Sequence, residues 1–360
     1  MSVTAPLCIG SPMSHAIEAD NLVKVFKGKR EVRALDGVSF AVEEGTVFGL
    51  LGPNGSGKTT AVRVLTTILR PDSGHARVLG HDVQKKAGLV RTLIGLAGQY
   101  AAVDENLTGR ENLQMVGNLN HLEKAFVAQR ARELLAQFDL TDAGDRPLKT
   151  YSGGMRRRLD LAAALVARPT VLFLDEPTTG LDPQSRNDLW EVIEQLVEGG
   201  TTVLLTTQYL EEADRLASTL AVIDHGRVIA EGTPASMKAD LGATILEVGL
   251  SSVEDAQRTG ALLDALGPHA ALVSGTLVEV TVDNGPQAAM IGLRALDGEH
   301  ITPTTFNLRE PSLDDVFLSL TGHRTEQEET DDEGGDGESK RRRRRRQAEQ
   351  ALPVVTGELS

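Results

Sequence analysis

The strongest constraint on the fold is a glycine-rich loop between an apolar strand pattern at 46–51 and a helical pattern at 60–69. The loop consists of Gly52, Pro53, Asn54, Gly55, Ser56, Gly57, Lys58 and Thr59. Its glycines allow successive backbone N–H groups to point towards one place, and the following helix adds the positive end of its dipole. A strand, a loop and a helix in this order therefore predict a cradle for phosphate groups.

The polar side chains of this phosphate loop have distinct expected roles. Lys58 is expected to reach the β- and γ-phosphates of a nucleoside triphosphate, and the hydroxyl of Thr59 to bind Mg²⁺. Thr60, which opens the helix, is expected to contact the nucleotide as well. The alternative is a glycine-rich turn with an incidental lysine, which the register of strand, loop and helix disfavours. Because such loops occur in many NTPases, this one predicts nucleotide binding without naming a family.

A second apolar strand pattern, at 171–176, ends in the two carboxylates Asp175 and Glu176. Adjacent residues of a strand face opposite sides, so we expect the two carboxylates to act differently. Asp175 is expected to hold Mg²⁺ directly or through water, and Glu176 to orient and deprotonate the attacking water. Without a phosphate loop upstream, an acidic strand end in solvent would be a fair competitor.

The composition narrows the fold class and the compartment. Of the 360 residues, 40% are hydrophobic and only 3% aromatic, which favours an α/β core of Leu, Val, Ile and Ala. The single cysteine, Cys8, excludes an internal disulfide and a cysteine-rich zinc site, and fits a reducing cytoplasm. No window approaches the roughly eighteen apolar residues of a membrane span, so any transport would need a separate membrane partner. A net charge of -14 argues against general affinity for nucleic acid.

The segment Tyr151-Ser152-Gly153-Gly154-Met155 precedes a helical pattern at 156–167, so small residues and amides again open a helix towards an anion. Lying between the phosphate loop and the two carboxylates, it resembles the signature motif of ABC ATPases, usually Leu-Ser-Gly-Gly-Gln. Tyr151 and Met155 depart from that motif only at its flanks. The resemblance covers 17–232 and implies an α/β P-loop NTPase fold, an ABC ATPase cassette with a helical subdomain. It also implies that the chain binds ATP with Mg²⁺ and hydrolyses ATP.

The same resemblance assigns Gln99 to the glutamine loop, which in the family contacts Mg²⁺ and water and faces the membrane subunit. It assigns Asp182 to the loop at 179–182, which in the family crosses a dimer interface. Phe26 matches the aromatic that stacks on adenine, and a core aromatic at a strand end is the alternative. Ser152, Gly153 and Gly154 would face the ATP of the other subunit. The resemblance therefore implies a head-to-tail homodimer with two ATP molecules between subunits.

Gln208 departs from the family, which usually has histidine at this position. An amide can donate a hydrogen bond to the γ-phosphate, but it cannot titrate near pH 7 as imidazole does. We therefore assign Gln208 to phosphate sensing and leave proton handling to Glu176.

Four segments are expected along the chain. They are a disordered leader at 1–15, the ABC ATPase domain at 16–234, a small ferredoxin-like α+β domain at 235–323 and a disordered charged tail at 324–360. The third segment shows the order β-α-β-β-α-β, closed by a helix at 312–320 that Ser312 and Asp315 would cap. Packing alone and a coupling or regulatory role are equally open for this domain. For the six arginines at 341–346, a solvated tail is favoured over membrane or RNA binding.

The setting of Gln208, the extra domain and the ending at 311–322 together resemble the daunorubicin-resistance subgroup of ABC exporters, over 17–323. This subgroup implies an ATPase subunit on the inner face of the membrane, paired with an integral membrane permease that expels anthracycline-like or other lipophilic compounds. An exporter of lipid, polysaccharide or peptide is one alternative. A soluble ABC ATPase acting on ribosomes or DNA is another, although it usually carries two cassettes, a coiled-coil insertion or cysteine-bound zinc. A protein with a dead site is disfavoured by the intact Lys58, Asp175 and Glu176.

Overall fold

A computed structural model describes residues 15–28, 31–98, 103–242, 244–268 and 270–321 of the chain. The strands, in chain order, are β1 (His15–Phe26), β2 (Val32–Glu43), β3 (Val47–Leu51), β4 (Ser73–Val78), β5 (His81–Asp82), β6 (Ile94–Ala97), β7 (Val171–Asp175), β8 (Thr202–Thr207), β9 (Thr219–Asp224), β10 (Arg227–Gly232), β11 (Thr244–Gly249), β12 (Leu272–Ser274), β13 (Leu277–Val282) and β14 (Thr305–Arg309).

The α-helices lie between these strands, and those of the first half of the chain include the helix that follows the phosphate loop. In chain order they are α1 (Lys58–Leu65), α2 (Ala87–Leu93), α3 (Gly109–Leu119), α4 (Lys124–Gln137), α5 (Gly153–Ala164), α6 (Pro183–Glu198), α7 (Leu210–Leu216), α8 (Pro234–Leu241), α9 (Val253–Leu263), α10 (Gly285–Gly298) and α11 (Leu313–Thr321). The helices α1 and α5 begin a few residues earlier than the sequence predicted, at Lys58 and Gly153.

A six-stranded sheet in the order β10-β9-β3-β8-β7-β6 forms the centre of the first domain. Its strands pair in parallel except for β10, which adds an antiparallel edge. Three of these strands, β3, β7 and β8, are buried along their whole length because other elements cover both faces of the sheet. The predicted α/β fold is confirmed, and the carboxyl ends of β3, β7 and β8 meet at one edge.

The helix α1 packs between this sheet and a four-stranded antiparallel sheet in the order β2-β1-β4-β5. Leu35 of β2, Leu50 of β3 and Leu65 of α1 share one fully buried core. The rings of Phe40 and Phe48 stack across it, with centroids 5.1 Å apart. This packing fixes the axis of α1 and therefore the direction in which its N-terminus points.

The other face of the central sheet is covered by helices, including α3, α4 and α5. Thr108 starts α3 with a capping box, because its hydroxyl accepts from the N–H of Glu111 while the carboxylate of Glu111 accepts from the N–H of Thr108. Leu159 and Ala162 of α5 are buried against this core. The orientation of α5, and of the Ser152 turn that precedes it, is thereby set. Among the described residues, no helix is both long and apolar enough to cross a bilayer.

The C-terminal part of the chain contains an antiparallel sheet in the order β12-β13-β11-β14. With α9 and α10 in the sequence β11-α9-β12-β13-α10-β14, this is the ferredoxin-like order that the sequence predicts. Two strands begin two residues or more from the start of the apolar runs that predict them. The run at 301–308 predicts the last strand, which occupies Thr305–Arg309, and the run at 270–273 predicts β12, which begins at Leu272.

Two helices, α8 and α11, join this sheet to the first domain. Met237 and Leu241 of α8, with Val316 and Phe317 of α11, share one buried core with residues of β3, α7 and β9. Ser312 and Asp315 form the expected cap, because the Asp315 carboxylate accepts from the backbone N–H of Ser312 at 2.7 Å and the N–H of Asp315 donates to the Ser312 hydroxyl at 3.3 Å. The last described helix therefore packs on the first domain rather than on its own sheet alone.

Candidate active site

The phosphate loop turns tightly between β3 and α1, and close contacts require two of its glycines. A Cβ atom at Gly52 would lie 2.2 Å from the carbonyl oxygen of Ile223. At Gly57 the φ angle is +117° and a Cβ atom would lie 2.4 Å from the carbonyl oxygen of Ala34. Side chains at these two positions would clash, so the tight path of the loop depends on glycine.

The loop also contains an orphaned polar atom. The hydroxyl of Ser56 is buried and has no hydrogen-bond partner among the described residues. A buried hydroxyl without a partner is costly, and an anion in the loop would satisfy it. Asn54 and Gly55 are exposed at the tip of the loop, and Thr60 is half-buried in α1. These residues therefore fit a phosphate group in the predicted cradle.

Lys58 lies between the phosphate loop and the catalytic carboxylate predicted from the sequence. Its side chain is only 4% exposed, and its ammonium donates hydrogen bonds to the carbonyls of Gly52 at 2.6 Å and Pro53 at 3.1 Å. The same nitrogen lies 3.5 Å from Oε1 of Glu176, which is itself 7% exposed. A buried positive charge therefore stands beside the loop amides, where a phosphate oxygen would be attracted.

Two of the three residues expected to bind Mg²⁺, Thr59 and Asp175, are adjacent in space although 116 positions apart in sequence. The hydroxyl of Thr59 donates to Oδ1 of Asp175 at 3.1 Å. The same carboxylate oxygen accepts a hydrogen bond of 2.6 Å from the hydroxyl of Thr206, a fully buried residue near the end of β8. Hydroxyl and carboxylate oxygens are the ligands that Mg²⁺ prefers, so this pair fits the ion.

Thr206 is a site residue that the sequence analysis missed. Besides its contact with Asp175, its hydroxyl and carbonyl oxygens accept from the backbone N–H of Glu176, at 3.2 Å and 3.0 Å. The available signal was the polar ending of the apolar run at 202–207, next to a second run that ends in carboxylates. Parallel pairing of β7 with β8 sets Asp175 opposite Thr206, and pairing cannot be read from either strand alone.

We expected Asp175 and Glu176 to face opposite sides as neighbours in one strand, and this expectation was wrong. The strand ends at Asp175, and Glu176 adopts a left-handed backbone with φ of 51°. A turn, not the alternation of a strand, therefore sets the direction of the Glu176 side chain. Left-handed backbone is unfavourable for a residue with a Cβ and persists only where its surroundings hold it, a feature concentrated at functional sites.

Gln208 follows β8 directly and precedes α7, where it is half-buried. Because β8 lies between β3 and β7, Gln208 stands at the edge of the sheet that carries the phosphate loop and Asp175. The assignment of Gln99 falls outside the described residues, which end at Gly98 before this gap.

Phe26 is the last residue of β1, and its side chain is 42% exposed. The ammonium of Lys24 lies 5.8 Å from the centroid of its ring. An aromatic with this exposure is not a core residue, so the alternative considered for Phe26 is disfavoured. The partly exposed ring of Phe26 is therefore available as a stacking surface.

The turn at Ser152 and Gly153, which resembles the signature motif and begins α5, lies at the protein surface. Ser152 caps α5 by accepting a hydrogen bond of 3.2 Å from the N–H of Met155, and both Ser152 and Gly153 are exposed. Gly154 is buried, and it packs so closely against Ser185 that a Cβ atom at Gly154 would lie 2.6 Å from the Ser185 hydroxyl. The Ser152 turn therefore opens a helix towards solvent, as an anion contact from a second subunit would need.

Asp182 has an evident structural task. Its carboxylate caps α6, accepting from the backbone N–H of Ser185 at 2.9 Å and from the Ser185 hydroxyl at 2.7 Å. These hydrogen bonds hold the pKa of Asp182 below its ordinary value. Capping therefore explains this residue without a nucleotide, although its exposed position leaves the predicted contact open.

The parallel sheet, the glycine-rich loop at its edge and the carboxylates beside that loop define a P-loop nucleotide-binding protein. The family of ABC transporters matches residues 35–179. The chain is 51% identical over 319 residues to the daunorubicin/doxorubicin resistance ATP-binding protein DrrA of Streptomyces peucetius, covering 88% of this chain and 96% of that protein. It is 40% identical over 294 residues to the Nod factor export ATP-binding protein I of Ralstonia nicotianae, covering 81% and 90%.

Solved structures agree with these relatives. The ADP conformation of an ATP-binding cassette of an ABC transporter aligns with a TM-score of 0.55 at 29% identity, covering 61% of this chain and 91% of that one. The chain belongs to the ATP-binding subunits of ABC transporters, and it binds and hydrolyses ATP. The family resemblance seen in the sequence is thereby confirmed.

Proposed function

We propose that this chain supplies ATP-derived energy for the export of anthracycline-like or other lipophilic drugs through a separate integral membrane permease. The observation that carries hydrolysis is the cluster in which Lys58, Thr59 and Asp175 meet the Glu176 turn. The cargo is supported by 51% identity, across most of the chain, to a protein named for daunorubicin and doxorubicin resistance. Attachment to the permease would hold the subunit on the inner face of the membrane.

Within the site, Lys58 and the amides of the loop at 52–57 would bind the phosphates, and Phe26 would stack on adenine. Thr59 and Asp175, with Gln99, would hold Mg²⁺, which would neutralise negative charge on the phosphates. Glu176 would accept the proton of the attacking water as general base. Gln208 would donate its amide hydrogen to the γ-phosphate.

The proposed active form is a head-to-tail homodimer. It is supported by the exposure of Ser152 and Gly153 at the N-terminus of α5, because exposed residues there are accessible to an ATP molecule held by a second subunit. In the dimer this turn would complete the charge cage of the partner's ATP. ATP binding would then favour closure and hydrolysis would favour opening, because the two states differ in their contacts with the γ-phosphate.

A cargo of lipid, polysaccharide or peptide is the second candidate. It is favoured by the 40% identity to a Nod factor export ATP-binding protein. The machinery for ATP would be the same in both cases, because cargo selectivity would reside mainly in the permease.

Drug resistance of a strain lacking this chain tests the cargo. We expect the deletion to raise daunorubicin accumulation and sensitivity, and the parent chain to restore resistance. A Glu176→Gln chain, expressed at the same level, should not restore it. If sensitivity to daunorubicin and to other lipophilic drugs is unchanged, the drug proposal is wrong, and a changed profile of extracted lipids and saccharides would favour the second candidate.

A further inference from the structure

Arg157 lies in the second turn of α5, here called the signature helix, and contacts the turn at 175–177 that ends β7, here called the catalytic turn. Among the described residues, neither of the other two arginines of this helix hydrogen-bonds that turn. Its Nε donates to the carbonyl of Pro177 at 2.5 Å, and Nη2 donates to the carbonyls of Glu176 at 3.0 Å and Asp175 at 3.4 Å. Nη1 donates to the carbonyl of Gly98 at 2.6 Å and lies 3.5 Å from Oδ2 of Asp160. A guanidinium has five N–H donors, and these partners engage every one of its nitrogens.

These contacts hold a strained residue from two sides. The backbone N–H of Glu176 is bound by Thr206 of β8, and its carbonyl by Arg157 of α5. Since Glu176 has a left-handed backbone, its conformation depends on such external support. A cavity of about 390 Å³ runs beside the turn, lined by Gly153, Asp160, Thr179 and Leu181 among others, and Arg157 forms part of its wall. Open space rather than packed side chains therefore flanks the catalytic turn here.

The Arg157 side chain is charged and mostly buried, being 15% exposed. Burial lowers the pKa of its guanidinium, whereas the charges of Asp160, Glu212, Asp175 and Glu176 raise it. An arginine remains protonated in proteins, so the carbonyl cage is held by a permanent cation.

We propose that Arg157 is a positioning residue for ATP hydrolysis, which holds Glu176 in its working direction and ties the catalytic turn to the signature helix. The inference rests on Glu176 acting as the proposed general base. Through Gly98, the same guanidinium also fixes the residue that immediately precedes Gln99. In the part of the chain that the structure describes, Arg157 has no hydrogen bond or ion pair with the phosphate loop. We therefore expect Arg157 to act on the turnover of bound ATP rather than on ATP affinity.

The test compares Arg157→Ala, Arg157→Lys and the control Arg168→Met in the full-length chain. Arg168 is 59% exposed, lies just beyond the C-terminal end of α5 and pairs with Glu133, so its loss removes one positive charge far from the turn. We expect Arg157→Ala to lower kcat by roughly 10²-fold, as small misplacements of catalytic groups do, while the Kd of a fluorescent ATP analogue changes less than about twofold. Arg168→Met should match the parent in both.

A chemical rescue separates positioning from a merely structural role. The cavity beside Arg157 gives small cations access, so millimolar guanidinium chloride should restore part of the kcat of Arg157→Ala. Equal concentrations of sodium chloride or methylammonium chloride should not. Arg157→Lys keeps the positive charge, so its thermal midpoint should stay close to that of the parent. Because lysine has three donors in a different geometry, the variant should nevertheless lose most of kcat.

Three results would overturn the inference. They are a kcat of Arg157→Ala close to that of the parent, a loss of kcat that follows a loss of ATP binding, and a full rescue by lysine. If Arg157→Ala does not fold, Arg157→Lys alone decides the test: loss of most of kcat supports the inference, and a kcat close to that of the parent overturns it. The parent and Glu176→Gln are measured alongside. Absence of turnover in the parent would count against ATP hydrolysis itself. Normal turnover in Glu176→Gln would count against the proposed base, on which the role of Arg157 rests. The three results above would overturn the role of Arg157 alone.

Discussion

The hydroxyl of Thr206 donates a hydrogen bond of 2.6 Å to Oδ1 of Asp175. The same side chain accepts from the backbone N–H of Glu176 at 3.2 Å, so one residue of β8 holds both carboxylate residues at the end of β7. Thr206 is fully buried, and water cannot replace it easily. The geometry at the end of β7 is therefore set partly by β8, its neighbour in the sheet.

Thr206→Val removes these hydrogen bonds with little change in volume. We expect it to lower the free energy of unfolding by about 1–3 kcal/mol, because it removes two buried hydrogen bonds, each worth about 0.5–1.5 kcal/mol. It should also lower kcat by roughly 10-fold or more and shift the Mg²⁺ dependence of activity to higher concentration. Thr206→Ser keeps the hydroxyl and is the control. Equal activity of the valine and serine variants would show that the hydroxyl has no part in catalysis.

The sequence predicts the phosphate loop, β7 and β8 well, because each is a local pattern of apolar residues or glycines. The antiparallel order of the C-terminal sheet also follows from the succession of short strands and helices. These features depend on residues that are close in the chain. The order of strands and helices therefore suffices to predict them.

The contacts that hold the site are less predictable. The hydrogen-bonded residues Thr206 and Asp175 are 31 positions apart in the sequence, and Arg157 and Gly98 are 59 positions apart. A local sequence pattern therefore does not predict either contact. The left-handed backbone of Glu176 depends on these two supports and was therefore missed. The packing of α8 and α11 on the first domain is likewise a tertiary contact. The sequence predicts α11 and its Ser312–Asp315 cap, whereas α8 was missed.

Gly52→Ala tests the tight turn of the phosphate loop. A methyl group there would lie 2.2 Å from the carbonyl oxygen of Ile223, which belongs to the backbone and cannot move cheaply. We expect loss of ATP binding and a lower thermal midpoint. Gly88→Ala is the matched control, because it lies in α2 with open space around it and alanine favours a helix by up to about 1 kcal/mol. Normal ATP binding by Gly52→Ala would contradict this account of the loop.

Phe26→Ala tests the proposed stacking on adenine. Stacking of a base on an aromatic is worth about 1–3 kcal/mol, so ATP affinity should fall by roughly 5- to 150-fold while the thermal midpoint changes little. The small effect on stability follows from the 42% exposure of the side chain. Phe26→Trp should retain affinity, and isothermal titration with ATP measures both variants. Unchanged affinity in Phe26→Ala would remove this residue from the nucleotide site.

Arg309 of β14 holds three carboxylates where the C-terminal sheet meets α11. It donates to Glu247 at 3.2 Å, to Glu279 at 2.5 Å and to Asp315 at 2.6 Å. Burial raises the pKa of Asp315, but hydrogen bonds from Arg309 and Ser312 outweigh it and hold the pKa below its ordinary value. Asp315 therefore contributes stability above its unfolded-state pKa of about 4, and this contribution is lost as the pH falls through the lower folded-state value.

Arg309→Met should lower the free energy of unfolding at pH 7 by about 1–3 kcal/mol, because it leaves three carboxylates close together without their cation. Its stability should then rise as the pH falls towards 4, opposite to the trend of the parent, because protonation relieves their repulsion. Denaturant unfolding at pH 7 and near pH 4 measures this. Arg258→Met, at a residue 52% exposed, should follow the parent, and parallel pH trends in Arg309→Met would contradict the assignment.

Turnover of Glu176→Gln is the most direct test of the site as a whole. The substitution keeps size and hydrogen bonding but removes the carboxylate that lies 3.5 Å from Lys58. We expect the variant to bind ATP at least as tightly as the parent, whereas hydrolysis slows by roughly 10² to 10⁴, the range for loss of a general base. Turnover of Glu176→Gln within a few-fold of the parent would contradict it.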